Sequence, residues 1–229
     1  MSELLLVIVF VSLSLIAHTY LFYPFYMIWR FKSKKEKGAL PDLQQHVPVT
    51  ILIAAFNEEK IIRQKILSVL TSNYPKNLIT VLVGSDASSD ETDKIVTELA
   101  ATYPNVKLKR IEDRAGKTNV LNKLQGMVQD DLLILTDANV LFTPDTIKFL
   151  LASFKDSEVG LVAANIIKTS EKNEGISLQE KKYLSLENQI KSAESTAWGI
   201  IMGAEGGCFA IRKNLFSRIP DRFIVDDFY

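Results

Sequence analysis

Val49-Thr50-Ile51-Leu52-Ile53-Ala54-Ala55 runs straight into Phe56-Asn57-Glu58-Glu59. A short, almost uninterrupted apolar run of this kind is what a strand covered on both faces requires, and such strands belong to parallel sheets flanked by helices. The segments that follow repeat the arrangement. Ile62, Ile66, Val69 and Leu70 recur at helical spacing, and residues 80–84 form a second apolar run. Ile95, Val96, Leu99 and Ala100 mark a second helix, residues 106–111 a third strand, and Val120, Leu121, Leu124 and Val128 a third helix. Residues 132–135 give a fourth strand. Thr143 and Pro144 read as N-cap and first position of a helix through Ile147, Phe149 and Leu150, and a strand follows at 159–167. Strands alternating with helices at this spacing predict an α/β fold with a doubly wound, mainly parallel sheet. Ligands in such sheets bind beyond the carboxyl ends of the strands.

Toward the N-terminus, residues 38–48 contain Gly38, Pro41 and Pro48 and read as a linker. Residues 4–29 hold no Lys, Arg, Asp or Glu. As a helix they reach roughly 39 Å at about 1.5 Å per residue, more than the roughly 30 Å of a bilayer's hydrocarbon. Tyr20, Tyr23, Tyr26 and Trp29 gather at the C-terminal end of this run, and Arg30, Lys32, Lys34, Lys35 and Lys37 come next. An aromatic belt followed by a basic flank predicts a transmembrane helix with the following body in the cytoplasm. A cleaved signal peptide fits less well, for the run is long and has no basic segment before it and no small-residue cleavage site after it. Pro24 is placed to kink this helix or mark its frayed end. The organisation expected is a transmembrane helix at 1–30, a basic juxtamembrane segment and linker at 31–48, and a catalytic domain at 49–229.

Of the 27 basic and 27 acidic residues, five basic and two acidic precede residue 41, leaving 22 against 25 in the body. With no basic surplus there, a nucleic-acid backbone is a poor partner. Cys208 is the only cysteine and His18 and His46 the only histidines. That excludes an intrachain disulfide and a zinc site of His and Cys ligands. A metal would be an oxygen-loving ion, Mg²⁺ or Mn²⁺, held by carboxylates and substrate phosphates.

Three strand ends carry carboxylates: Ala54-Ala55-Phe56-Asn57-Glu58-Glu59, Gly84-Ser85-Asp86-Ala87-Ser88-Ser89-Asp90, and Thr136-Asp137-Ala138-Asn139. Helix capping by Asn57 or Ser89, with Glu58, Glu59, Asp90 and Glu91 favouring the positive helix ends, accounts for the first two. It does not account for Asp137, because the next helix begins only near Thr143.

These strand ends, together with Arg114-Ala115-Gly116-Lys117-Thr118-Asn119-Val120-Leu121-Asn122, resemble in order the motifs of the family 2 glycosyltransferases, whose GT-A fold is a nucleotide-binding α/β domain. The resemblance runs from about residue 49 to the end of the chain. It implies an inverting transfer of a sugar from a nucleotide diphosphate sugar, UDP by preference, to a saccharide or lipid-linked hydroxyl. It also implies donor contacts from Ala55, Asn57, Glu58, Asp86, Lys117 and Asp137, with Asp86 reading the uracil or ribose. The family's Asp-x-Asp metal motif appears as Asp137-Ala138-Asn139. Asn139 is neutral but can ligate through its carbonyl oxygen, so Asp137 is the firmer ligand for Mg²⁺ or Mn²⁺. The segment Gly203-Ala204-Glu205-Gly206-Gly207 resembles the loop bordering the acceptor, placing Gly206 and Gly207 on that side; a turn before an ordinary strand is its plain reading. Asp226-Asp227 resembles the acidic pair whose second member is the catalytic base, a role that falls to Asp227 with Asp226 on the acceptor side. Related membrane synthases continue past this point with a Gln-x-x-Arg-Trp motif and further membrane helices, so the catalytic domain is expected to be C-terminally incomplete. A non-catalytic nucleotide-sugar-binding membrane subunit, or a sugar-phosphate nucleotidyltransferase, would share parts of this pattern. The second would carry a Gly-rich, basic loop where Phe56-Asn57-Glu58-Glu59 stands.

Overall fold

The computed structural model describes residues 3–31, 46–167, 176–201, 203 and 207–220, the stretch 176–184 by its backbone. The chain divides into two compact units, Met1–Lys37 with Ile167–Met202, and Gly38–Ile166 with Gly203–Tyr229.

The larger unit is a six-stranded sheet. Strand β1 is Val49–Ala55, β2 Ile79–Asp86, β3 Val106–Ile111, β4 Leu132–Asp137, β5 Leu161–Ala163 and β6 Cys208–Arg212, in the spatial order β3-β2-β1-β4-β6-β5. The first four run parallel. β6 lies antiparallel between β4 and β5. The helices of this unit are α3 Ile62–Leu70, α4 Thr92–Thr102, α5 Lys117–Gln125 and α6 Thr146–Ala152.

Side chains alternate across the pleat, so adjacent residues of one strand serve opposite cores. Ile51, Ile53, Val81, Val83 and Ile134 pack with Ile62, Ile66, Val69, Val96, Ile147 and Leu150 of α3, α4 and α6. Leu52, Leu82, Leu133 and Leu135 pack with Val120, Leu121 and Leu124 of α5 on the other face. Both faces are therefore buried, and the unbroken apolar run of β1 follows from that.

Two local readings change. Of the stretch 159–167 only Leu161–Ala163 is regular strand, although the Gly160 carbonyl and the Ala164 N–H also bond to β6; among the described residues β5 is an edge strand beside β6, with half-buried side chains. Helix α6 starts at Thr146 and not after Thr143. The Pro144 carbonyl accepts the Asn73 N–H at 2.7 Å and Asp145 accepts from the Asn73 amide, which holds residues 143–145 as a turn outside the helix.

In the smaller unit α1, Glu3–Ala17, passes through a π-helical turn, His18–Phe22, into α2, Tyr23–Phe31. The widened turn directly precedes Tyr23 and Pro24, where a proline without an N–H breaks the regular ladder. Helix α7, Ile176–Trp198, packs against α2: Pro24 and Met27 are buried, as are Ala193 and Glu194, and the Tyr23 hydroxyl donates to Glu194 Oε1.

Candidate functional site

Strand order reverses at β1, which has β2 on one side and β4 on the other. A crevice forms at such a point, beyond the carboxyl ends of the strands. In register, Ala54 pairs with both Gly84 and Asp137, so the three carboxylate-bearing strand ends lie side by side.

Loops after β1 and β2 are stitched to each other. Asn57, at φ +55°, accepts the Ser89 N–H through Oδ1 at 2.9 Å, and its own N–H donates to Ser88 Oγ. The Glu58 N–H donates to Thr92 Oγ1, the Glu59 N–H to Asp90, and the Glu91 N–H to Glu59. Neither α3 nor α4 receives a side-chain hydrogen bond from its N-cap residue. Capping by Asn57 or Ser89 is thus replaced by bonds between loops, which hold the mouth of the crevice in one shape. Ala55, at the end of β1, is buried beneath it.

Asp86 is only 5% exposed, and its two oxygens accept the N–H groups of Ala115 and Gly116 at 2.7 and 2.9 Å. Gly116 has φ +83°, a conformation that side chains with a Cβ resist. Asp86 therefore fixes the Arg114–Lys117 segment, each oxygen keeping acceptor capacity for a further donor. The Arg114 guanidinium lies 3.7 Å from the centre of the Phe56 ring. Lys117 Nζ meets Asp137 Oδ1 at 2.8 Å, both side chains more than a third exposed.

Asp137 and Asn139 face outward at alternate positions, Asn139 exposed, while Ala138 between them is buried. The Gly207 carbonyl accepts the Asp137 N–H at 3.0 Å and the Thr136 hydroxyl at 3.2 Å. A Cβ on Gly207 would fall 2.4 Å from Ile166 Cδ1, so this position serves close packing beside Asp137. Glu58 stands near the same group. Burial, then the carboxylates of Asp137 and Asp90, push its carboxyl above the usual value.

Among the described residues no three His, Cys, Asp or Glu side chains gather into a metal cage. One carboxylate and one amide suit a divalent ion that keeps waters and takes its other ligands from phosphate oxygens, as Mg²⁺ does. Gly206, Asp226 and Asp227 lie outside the described residues.

Lys65 is a member of this neighbourhood that the motifs do not name. It occupies the α3 face shared with Ile62, Ile66 and Val69 and is 0% exposed. Its Nζ donates to Thr136 Oγ1 at 2.9 Å and to the Val140 carbonyl, and lies 3.9 Å from the centre of the Phe142 ring. Burial pushes its ammonium down to about 7, against the pull of the Asp137 charge. A lysine within an apolar i, i+3, i+4 pattern is the sequence signal that would have found it.

Residues 50–219 match the family model described as "Glycosyl transferase family 2". The chain is 31% identical over 135 residues to the beta-monoglucosyldiacylglycerol synthase of Trichormus variabilis, a match covering 58% of the chain and 28% of that protein. To the poly-beta-1,6-N-acetyl-D-glucosamine synthase of Staphylococcus epidermidis it is 27% identical over 158 residues, covering 69% of the chain and 38% of the relative. The mannosyltransferase of Pyrobaculum calidifontis, solved in complex with GDP-Man and Mn²⁺, superposes with a TM-score of 0.71 at 25% identity, over 92% of this chain and 59% of that one. The chain thus spans well under half the length of both curated relatives.

Proposed function

Because the chain belongs to glycosyl transferase family 2, we propose that it forms the donor-binding part and catalytic centre of an inverting hexosyltransferase anchored in a membrane, with its body in the cytoplasm. The observation that carries this reading is the side-by-side placement of Asp86, Lys117 and Asp137 at the crevice where strand order reverses. A nucleotide diphosphate is long enough to bridge them. Asp86 and the Ala115-Gly116 backbone take the nucleoside side, and Asp137 with Asn139 holds a divalent ion on the diphosphate side. Bound there, Mg²⁺ or Mn²⁺ would act as a Lewis acid for the leaving diphosphate.

In the reaction proposed, Asp227 takes the proton of an acceptor hydroxyl. The oxygen forms a bond to the anomeric carbon as the bond from that carbon to the diphosphate oxygen breaks, and the diphosphate departs with the electron pair. One displacement inverts the anomeric centre. UDP is the nucleotide implied by resemblance, and the GDP-mannose complex of the structural relative makes GDP the alternative. The names of the relatives direct the acceptor search to diacylglycerols and to β-linked amino-sugar chains.

Titration of UDP and GDP with Mn²⁺ or with chelator tests this reading directly. Wild-type chain should bind one nucleotide more tightly with the metal, and Asp137→Ala should lose that gain while keeping the metal-independent part. Equal affinity in Mn²⁺ and chelator would remove Asp137 from the donor site.

A further inference from the structure

Burying an amine costs its hydration, and a leucine or methionine at position 65 would join Ile62, Ile66 and Val69 without that cost. What Lys65 does in return is specific in place. Every partner named for its Nζ lies in one short stretch: the Thr136 hydroxyl, the Val140 carbonyl and the Phe142 ring. One turn farther along α3, Ser68 Oγ accepts the Phe142 N–H at 3.1 Å and thus grips the same stretch. Thr136 and Val140 immediately flank Asp137-Ala138-Asn139. On the other side the Gly207 carbonyl accepts from Thr136 and Asp137. The turn that presents Asp137 and Asn139 is therefore held from beneath at both ends by one side chain, and laterally by β6's approach.

We propose that Lys65 is a positioning residue of the donor site, fixing the 136–140 turn so that Asp137 and Asn139 are aimed together at a divalent cation and the diphosphate it carries. The proposal rests on the donor-site reading above. Residues that orient metal ligands from behind typically cost 10–100-fold in metal affinity when replaced. A residue that merely filled the core would change stability without separating metal-dependent from metal-independent binding.

The test uses the full chain in detergent, with UDP and GDP as probes, each with Mn²⁺ and with chelator. Lys65→Met keeps the length and apolar stem and removes the donors. It should leave nucleotide affinity in chelator within about twofold and reduce the Mn²⁺-dependent gain by about tenfold or more. Thr136→Val removes one of the two acceptors and should give a smaller loss of the same kind. The double variant should lose less than the two single losses combined, since the Lys65–Thr136 bond is common to both while the Thr136–Gly207 bond belongs to Thr136 alone. A full Mn²⁺ gain in Lys65→Met overturns the proposal, as does a loss shared equally by chelator and Mn²⁺ conditions. Should Lys65→Met fail to fold, Lys65→Leu, which also lacks the donors and suits the apolar face, decides: a selective loss of the Mn²⁺ gain supports the clamp, and an undiminished gain overturns it. A wild-type chain with no Mn²⁺ gain refutes the donor-site reading itself and takes the clamp with it.

Discussion

Glu58 is a carboxylate whose surroundings work against its charge. Burial, Asp137 and Asp90 all raise its pKa. A carboxylic acid whose folded pKa lies above its unfolded value is destabilised above the unfolded pKa, and the penalty fades as pH falls and both states become protonated. Glu58→Gln should therefore stabilise the fold at pH 7, by about the few tenths of a kcal/mol typical of exposed charge pairs, and so raise the melting temperature. The gain should shrink toward pH 4. A melting temperature that is unchanged at pH 7, or a gain that grows on acidification, would contradict this account. Glu58 shows how much a single residue told in advance: its type and strand-end position marked it for the site, while the identity of its opponents required the sheet. Asp86 and Asn57 are similar cases. Both lie where the strand ends placed them, yet their bonds to Ala115, Gly116 and Ser89 bridge positions some thirty residues apart. Local pattern carries no record of such bonds, and Asn57 consequently reads as a helix cap. Lys65 was legible only as an anomaly in a helical stripe.

At the scale of elements, apolar period and strand length located β1, β2, β4 and α3 to α5 well, because each is buried on a continuous face and its pattern is set by that burial. β3 was located too, although it is an edge strand that buries only Val106 and Ile111. The opposite edge fared worse. β5 is short and half-buried, the start of α6 is decided by Asn73 from a distant turn, and α7 carries a weaker apolar stripe that the sequence reading left unassigned. The antiparallel insertion of β6 beside β4 is also nonlocal, since nothing in Cys208–Arg212 states its direction. One close fit between elements is at Gly84 on β2. A Cβ there would stand 2.3 Å from Val120 Cγ1 and 3.1 Å from Leu124 Cδ1 of α5. Gly84→Ala should therefore push α5 from the sheet and destabilise by about 1–3 kcal/mol, the usual cost of overpacking. The N-terminus of α5 carries Lys117, so the Lys117–Asp137 ion pair should loosen as well. Adding Val120→Ala opens room and should recover part of the loss in a denaturation experiment. Additive destabilisation by the two substitutions would show that the contact is not the cause.

For the whole molecule, the question is what covers the N-terminal helix. Residues 3–31 form one helical run with high mean hydropathy, and no residue of α1 is buried by protein. Leu4, Phe10, Leu13 and Leu15 are each at least 60% exposed. An apolar surface of that extent needs a nonaqueous partner, and the length suits a bilayer. A cleaved leader and a permanent anchor share this composition. Within the smaller unit, α2 buries Pro24 and Met27 against α7, and Tyr23 bonds Glu194, so removal of the leader would strip α7 of its partner. We expect the segment to be retained, with Arg30 and the basic residues after it on the cytoplasmic side, because an aromatic and basic flank lies at that end. Intact mass should therefore include the residues before Arg30. Protease added to sealed, right-side-out cells should leave the body whole, and the same protease added to inverted vesicles should digest it. A mature chain lacking residues 1–29 would identify a leader, and digestion of the body in right-side-out cells would reverse the orientation and remove the crevice proposed to bind nucleotide from the cytoplasmic pool of nucleotide sugars.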